Sequence, residues 1–440
     1  GSSGWKDEDI DLDVPKTDFI GYSTVVDTGK VIAVVVEGEQ VSTISEGQSG
    51  IIVLDRTPFY AESGGQTGDT GEIITDDAKA DVADTRKYNR TVYLHEVNVV
   101  KGSISVGNMV TARVNDDRRK NTAKNHTCTH LLHRSLKDVL GDHVNQAGSY
   151  VSQDRLRFDY THFEAVGRET LRKIERRVNE AILADYKVNT DIMNVEEAKK
   201  SGATALFDEK YGETVRVVSI GDFSKELCGG THVDETAKIG MFKIISEGSI
   251  ASGVRRIEAV TGREAINYFM ELSDITDELS STMKVSKDEI IDKINAIKKE
   301  MKDKYKEIQK LNNELLKEDI GKIAKQYEEI DGIKLFALKL KDKDVNSLRE
   351  LADKIKDSNE SCAVLLASDL GDKVLFVSEV TKDLIQKGIN AGNIVKQAAR
   401  AAGGGGGGRP DFAQAGGKKP EKIDEALNEV RQFIKTSVQK

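Results

Sequence analysis

The sequence predicts a mixed α+β protein built from a small β-barrel, a zinc-containing α+β domain, a helical coiled-coil arm and an α/β C-terminal domain. Three observations carry that expectation. Short β-branched runs broken by Gly, Asp and Asn turns fill residues 19–114, the pattern of short antiparallel strands. Helical and strand-like stretches alternate through 115–262, as in helices packed beside an antiparallel sheet. Apolar residues then recur at three- and four-residue steps through a highly charged stretch. The length of 440 residues suits two to four domains. With 65 Lys+Arg against 74 Asp+Glu, the net charge of −9 excludes a globally basic nucleic-acid binder, so an RNA partner would meet a local patch. Three Cys, an odd number without framework spacing, point to a reducing, cytoplasmic setting. No signal peptide and no apolar run near eighteen residues is visible, so a soluble protein without a membrane partner is expected. The chain starts with Gly rather than Met, which suggests a fragment, a processed product or an engineered piece.

Residues 1–18 are acidic and polar, with Pro15, and read as a linker remnant. In the barrel, Val31–Val36, Gly50–Leu54 and Thr91–Leu94 are strand candidates. Between them lies Pro58–Gly71, whose Gly64, Gly65, Gly68 and Gly71 mark backbone that turns tightly or is closely approached. No P-loop Lys follows, so a phosphate cradle is unconvincing; a bulged hairpin and a loop against a substrate end are the two readings. Asn115 to about Val139 predicts a helix, with Asp116 and Asp117 in its first turn and Gly141 as its stop. Strands are expected at 144–150 and 156–160, a long basic-acidic helix at 164–186, a strand at 188–191 and a short helix at 194–200. Further strands are expected at 215–220, 240–247 and 253–260, with a helix leaving from Gly262.

The arm, 263–330, carries Ile290, Ile294, Ile297, Met301, Tyr305, Ile308, Leu311 and Leu315 as a coiled-coil seam. A self-contained hairpin and a homodimer interface both satisfy it. The last domain, 331–440, has strand candidates at 334–338, 362–368 and 373–378 between helices. Six consecutive Gly, 403–408, then lead into Arg409-Pro410-Asp411. Such a run is a flexible linker or, between hydrophobic elements, an anion-receiving backbone nest. From Lys396 to Lys440, nine Lys/Arg face five Asp/Glu, a local basic patch of the kind a phosphate backbone selects.

Two stretches carry chemistry: His126-Thr127-Cys128-Thr129-His130 and Cys228-Gly229-Gly230-Thr231-His232. His at i and i+4 share one helix face, and Cys and His four apart with two Gly between suit a tight loop. Either pair alone is as well explained by packing. Together His126, His130, Cys228 and His232 offer three imidazoles and a thiolate, a set that Zn2+ favours. No Glu follows His126, so the H-E-x-x-H protease reading fails. Cys128 should point off the ligand face, and His133 is either a supporting group, a spare ligand or a packing residue.

These pieces, with Gln146-Ala147-Gly148-Ser149 and Ser246-Glu247-Gly248…Gly253-Val254-Arg255-Arg256-Ile257, resemble the editing domain of alanyl-tRNA synthetase. The Gly-rich Arg-Pro-Asp segment resembles the C-terminal tRNA-binding (DHHA1-type) domain of that family. Free-standing editing proteins share the zinc motifs and the Gly-Gly-Gln-x-x-Asp-x-Gly loop, but the helical arm and the C-terminal domain favour a synthetase segment. Its aminoacylation half is absent from this sequence, so alanine activation is not expected. The resemblance implies hydrolysis of tRNA(Ala) mischarged with serine or glycine. It gives Thr129 and Gln146 substrate-contact, catalytic roles. Gly64, Gly65 and Gln66 would line the same mouth, and Arg255 or Arg256 would hold acceptor phosphates. Only one of the two arginines is expected there, because adjacent strand positions face opposite sides. Arg409, Lys418 and Lys419 are its candidate tRNA contacts. Two rivals remain: a zinc-stabilised tRNA-binding and dimerisation module without chemistry, and a DHH-type phosphoesterase. The second lacks its Asp-His-His cluster.

Overall fold

Strands of β-branched residues between turn formers bury one face each, and in the N-terminal part of the chain they do so by closing on themselves. The structure, a computed structural model, describes residues 12–204, 213–323 and 325–438. Strands β1 (Val26–Val36), β2 (Ser49–Leu54), β3 (Gly71–Ile74), β4 (Lys79–Tyr88), β5 (Val92–Lys101) and β6 (Met109–Val114) form a closed ring. Its order is β1-β6-β3-β4-β5-β2, and β1 pairs with both β6 and β2. Val31, Val34, Ile52, Leu54, Ile73 and Val97 fill the interior. The expected small antiparallel barrel is therefore present. Of the expected 1–18 lead-in, residues 1–11 lie outside the described residues.

The glycine-rich stretch is a loop between β2 and β3 with a tight turn, in which Ser63 and Gln66 exchange backbone hydrogen bonds of 3.2 and 3.0 Å. Gly64 and Gly65 hold φ of 59° and 84°, and a Cβ on Gly65 would meet the Ser149 carbonyl at 2.4 Å. Helix α1 (Asp116–Leu140) runs between the expected signals. The Asn115 side chain accepts from Arg118 N–H, and Gly141, at φ 117°, stops it.

Helix α1 packs on an antiparallel sheet of β7 (Gln146–Val151), β8 (Leu156–Thr161), β12 (Phe242–Ala251) and β13 (Val254–Thr261), in the order β7-β8-β13-β12. Helix α2 (Arg168–Leu183) covers the same core, where Cys128, Leu131, Leu132, Phe158, Ile174, Val178 and Ile257 meet. It is shorter than 164–186 because Gly167 is extended and Asp185, at φ 54°, turns the chain away. A separate three-stranded sheet holds β9 (Val188–Asn194), β10 (Thr214–Ile220) and β11 (Ser224–Leu227), with α3 (Val195–Lys200) following β9.

The chain divides into two compact units, Gly1–Leu279 and Ser280–Lys440; α4 (Gly262–Met283) leaves the first. In the second, α5 (Ile290–Ile323) is a 34-residue helix whose Ile297, Met301, Tyr305, Ile308, Leu311 and Leu315 are 40–69% exposed. The sheet of this unit holds β14 (Glu328–Ile330), β15 (Ile333–Lys341), β16 (Cys362–Asp369), β17 (Val374–Val380), β18 (Gly405–Gly408) and β19 (Phe412–Gly417). Their order is β14-β15-β16-β17-β19-β18, with β15 and β16 parallel. Alternate residues of β16 face opposite cores: Val364 and Leu366 meet α6 (Val345–Asp357), while Ala363 and Leu365 meet α7 (Ala391–Ala401) and α8 (Ile423–Val438). No described helix is long and apolar enough to cross a membrane.

The glycine run corrects both expectations made for it. Gly405–Gly408 is neither a linker nor a nest but an extended edge strand, with Gly405 opposite Gly416 and Gly408 opposite Ala413. Side chains are excluded on one side of it. A Cβ on Gly406 would lie 2.4 Å from Ala415 Cα, whereas one on Gly405 meets nothing within 4 Å. Gly406→Ala is therefore expected to destabilise this unit by about 2 kcal/mol, and Gly405→Ala by no more than about 0.5 kcal/mol. Comparing their thermal melting curves checks this; equal losses would contradict the pairing.

Candidate metal centre

On α1, His126 and His130 lie one turn apart with rings stacked at a centroid separation of 5.5 Å. The loop after β11 brings Cys228 and His232 to them. The four donor atoms all lie within 4.8 Å of one another, and Cys228 Sγ is 3.3 Å from both His126 Nε2 and His232 Nε2. His130 Nε2 is buried without a hydrogen-bond partner. A buried polar atom in that state is costly unless something else satisfies it. The four residues could hold one metal ion.

The second nitrogen of each imidazole explains why the first faces inward. His126 Nδ1 is 2.7 Å from Gln66 Oε1, an amide oxygen that only accepts, so the proton sits on Nδ1. Thr127 Oγ1 gives its proton to Ala123 O and receives from His232 Nδ1 at 3.1 Å. His130 Nδ1 meets the Glu226 carboxylate, whose other oxygen is 2.7 Å from His133 Nδ1. Each of the three imidazoles thus has its tautomer and ring angle fixed from behind.

The loop is anchored from several sides. Gln66 Oε1 also accepts from Thr231 N–H at 2.9 Å, and Gln66 Nε2 donates to Thr231 Oγ1 at 2.9 Å. Arg216 Nη1 donates to the Cys228 and Gly230 carbonyls at 3.0 and 2.7 Å and stacks on Tyr22, whose hydroxyl donates to Gly229 O. A Cβ on Gly230 would fall 1.9 Å from His126 Cε1, so only glycine fits. Arg119 fastens α1 to the barrel: buried, it pairs with Asp69 and donates to the Gly21 and Pro58 carbonyls at 2.7 and 2.8 Å.

Burial alone would strip the charge from His130 and His232. At His232 it prevails, and the imidazole is held down at about 3. At His130 burial is outweighed by the Glu226 carboxylate and the Cys228 thiolate, and the value is pushed up to about 10. Burial also opposes ionisation of Glu226 and Cys228, but the surrounding imidazoles win. Glu226 falls to about 2, and Cys228 goes well below the usual thiol range.

Of the other candidates, Thr129 is 4% exposed and donates to the Asn125 carbonyl at 2.9 Å. Gln146 is half-buried at the start of β7. Gln66 is not at an open mouth but fully buried at 0% exposure. Arg255 is paired with Glu247, and Arg256 grips Asp159 through bonds of 2.7 and 2.8 Å, so both guanidiniums meet carboxylates, where one of the two was expected to hold phosphates. Arg409 is exposed beside Asp411; Lys418 and Lys419 are exposed and give their backbone N–H groups to the Ala402 carbonyl. Sequence reasoning missed Glu226, Thr127, Tyr22 and Arg216. A cleft of about 450 Å³ beside His232 is lined by Tyr22, Thr24, Lys120, Arg216 and Thr231 among others.

Three family profiles match the chain. Residues 6–118 match "tRNA synthetases class II (A)", 215–258 match the "Threonyl and Alanyl tRNA synthetase second additional domain", and 332–436 match the DHHA1 domain. The alanine–tRNA ligase of Acetivibrio thermocellus is 45% identical over 439 residues, 99% of this chain and 50% of that protein. That of Clostridioides difficile is 44% identical over 436 residues, again 99% and 50%. The C-Ala domain from Aquifex aeolicus alanyl-tRNA synthetase, a crystal structure, is 33% identical with a TM-score of 0.24, covering 25% of this chain and 98% of that one. The chain spans about half the length of the curated relatives it matches.

Two outcomes follow for metal uptake. A raised His130 value means that the contribution of its pair with Glu226 is full below the ordinary imidazole pKa and is lost as pH rises through about 10. A ligand imidazole must be neutral, so metal uptake at pH 8 should expel about one proton from His130. Glu226→Gln should abolish that release. Calorimetric titration with a divalent metal in two buffers of different ionisation enthalpy counts the protons; equal release by both proteins would contradict the coupling. Gln66→Ala, which removes the acceptor from His126, should weaken metal binding about 10–100-fold in the same titration.

Proposed function

Because the chain corresponds to the C-terminal part of the alanyl-tRNA synthetase family, we propose that its metal centre holds zinc and serves the hydrolysis of tRNA(Ala) mischarged with serine or glycine. The convergence of His126, His130, Cys228 and His232, with every back nitrogen of the three imidazoles engaged, is the observation that carries this reading. A need for such a site follows from chemistry. A pocket that accepts alanine gains only about 1–3 kcal/mol from one methyl against glycine, and it rejects an added hydroxyl poorly. A second site that destroys the wrong ester restores accuracy.

When bound, zinc in this ligand set supplies a fixed positive charge beside the scissile ester. His126, His130, Cys228 and His232 would hold it, the full protein ligand number of a structural zinc site. In this reading other side chains therefore place the substrate and the water. Thr129, its proton committed to the Asn125 carbonyl, presents hydroxyl lone pairs that accept from a seryl hydroxyl or a water. Gln146 supplies an amide at the start of β7. The cleft beside His232 receives the acceptor end, with Lys120 and Arg216 as its cations. Arg409, Lys418 and Lys419 give the C-terminal domain its tRNA contacts, and the exposed seam of α5 joins two copies in the cytoplasm.

The test is deacylation of seryl-tRNA(Ala) by this chain, with alanyl-tRNA(Ala) as control. Rapid loss of the seryl ester alone is expected, reduced about 100-fold in Thr129→Val or Gln146→Ala with zinc content and folding unchanged. Tight tRNA binding with both esters intact would leave a zinc-stabilised binding and dimerisation module without chemistry.

A further inference from the structure

Helix α2 carries five Lys or Arg among its sixteen residues. Two are committed: Lys173 pairs with Glu169 at 3.3 Å, and Arg177 pairs with Asp138 and lies over the Phe223 ring. Arg168, Arg172 and Arg176 are different. All three are exposed, and among the described residues none has an ion-pair or hydrogen-bond partner for its guanidinium. Their four-residue spacing sets them on one ridge, rising about 6 Å per step. The buried flank of the helix, Ile174, Val178, Ala181 and Ile182, is committed to the core.

Like charges at i and i+4 repel and cost helix stability. A row of three in a chain of net −9 is a local arrangement that folding alone does not favour. A polyanion reverses the sign of that cost. The step between arginines is close to the separation of consecutive phosphates along one strand, and a guanidinium grips a phosphate bidentately. A lipid surface fits less well, because the apolar side of the helix is already packed. Phe163, 85% exposed in the loop leading into α2, offers an aromatic face of the kind that stacks on an unpaired base.

We propose that Arg168, Arg172 and Arg176 dock the phosphate backbone of RNA, a tRNA contact surface distinct from the C-terminal basic segment. It rests on the reading above that the partner is a tRNA, but not on the hydrolysis. The test is binding of a tRNA(Ala) transcript to the full chain by fluorescence anisotropy across a salt series. Combined Arg168→Gln, Arg172→Gln and Arg176→Gln should shallow the slope of log affinity against log salt by about 2–3 and weaken binding at least tenfold at 0.1 M salt. The three Arg→Lys changes should keep most of the slope, because the charges remain. An unchanged slope in the Gln variant overturns the proposal, as does an equal loss in the Lys variant. Loss of binding to phosphatidylserine vesicles with tRNA binding intact also overturns it. An arginine-dependent slope in a chain that cleaves no ester supports the ridge and removes only the hydrolytic reading.

Discussion

A single buried amide, that of Gln66, holds together the three stretches on which the candidate metal centre depends. It belongs to the glycine-rich loop of the barrel, accepts a hydrogen bond from His126 on α1, and binds the Thr231 backbone and hydroxyl in the loop that carries Cys228 and His232. With no exposure to water, each of those groups would be left unpaired if the amide were lost, at about 1–3 kcal/mol apiece. The barrel is therefore more than an appendage. Its loop aims one candidate ligand and fixes the path of the segment bearing two others.

The same logic recurs around the centre. Arg119 satisfies Asp69 and two carbonyls across the barrel–helix junction, so a buried charge becomes a fastening rather than a liability. Glu226 performs the equivalent service behind His130 and His133. Charge placed in this way supports the proposed zinc: the thiolate is already favoured, and the His130 imidazole with its extra proton sits against the carboxylate that keeps it there.

Helix α1 was legible almost to the residue, because its signals are local: Asn115 caps it, acids fill its first turn and Gly141 ends it. The four-residue cluster was legible because its spacing is local within each of two motifs. What the sequence concealed is what depends on pairing across distance. Strand β11 is four residues long and interrupted by Lys225 and Glu226, so it shows no hydrophobic pattern, and the carboxylate behind His130 was missed with it. The glycine run has no side chains to alternate; only its register against Phe412–Gly417 reveals a strand. Gln66 read as a residue lining the substrate mouth because its partners lie 60 and 165 positions away. One of Arg255 and Arg256 looked available for phosphates until their cross-strand carboxylates were in view.

X-ray absorption at the zinc edge of the purified chain tests the organising claim most directly. One sulfur at about 2.3 Å and three nitrogens at about 2.0–2.1 Å are predicted, with the sulfur lost in Cys228→Ser. A coordination shell without sulfur, or one unaffected by that change, would contradict a centre assembled from the two motifs.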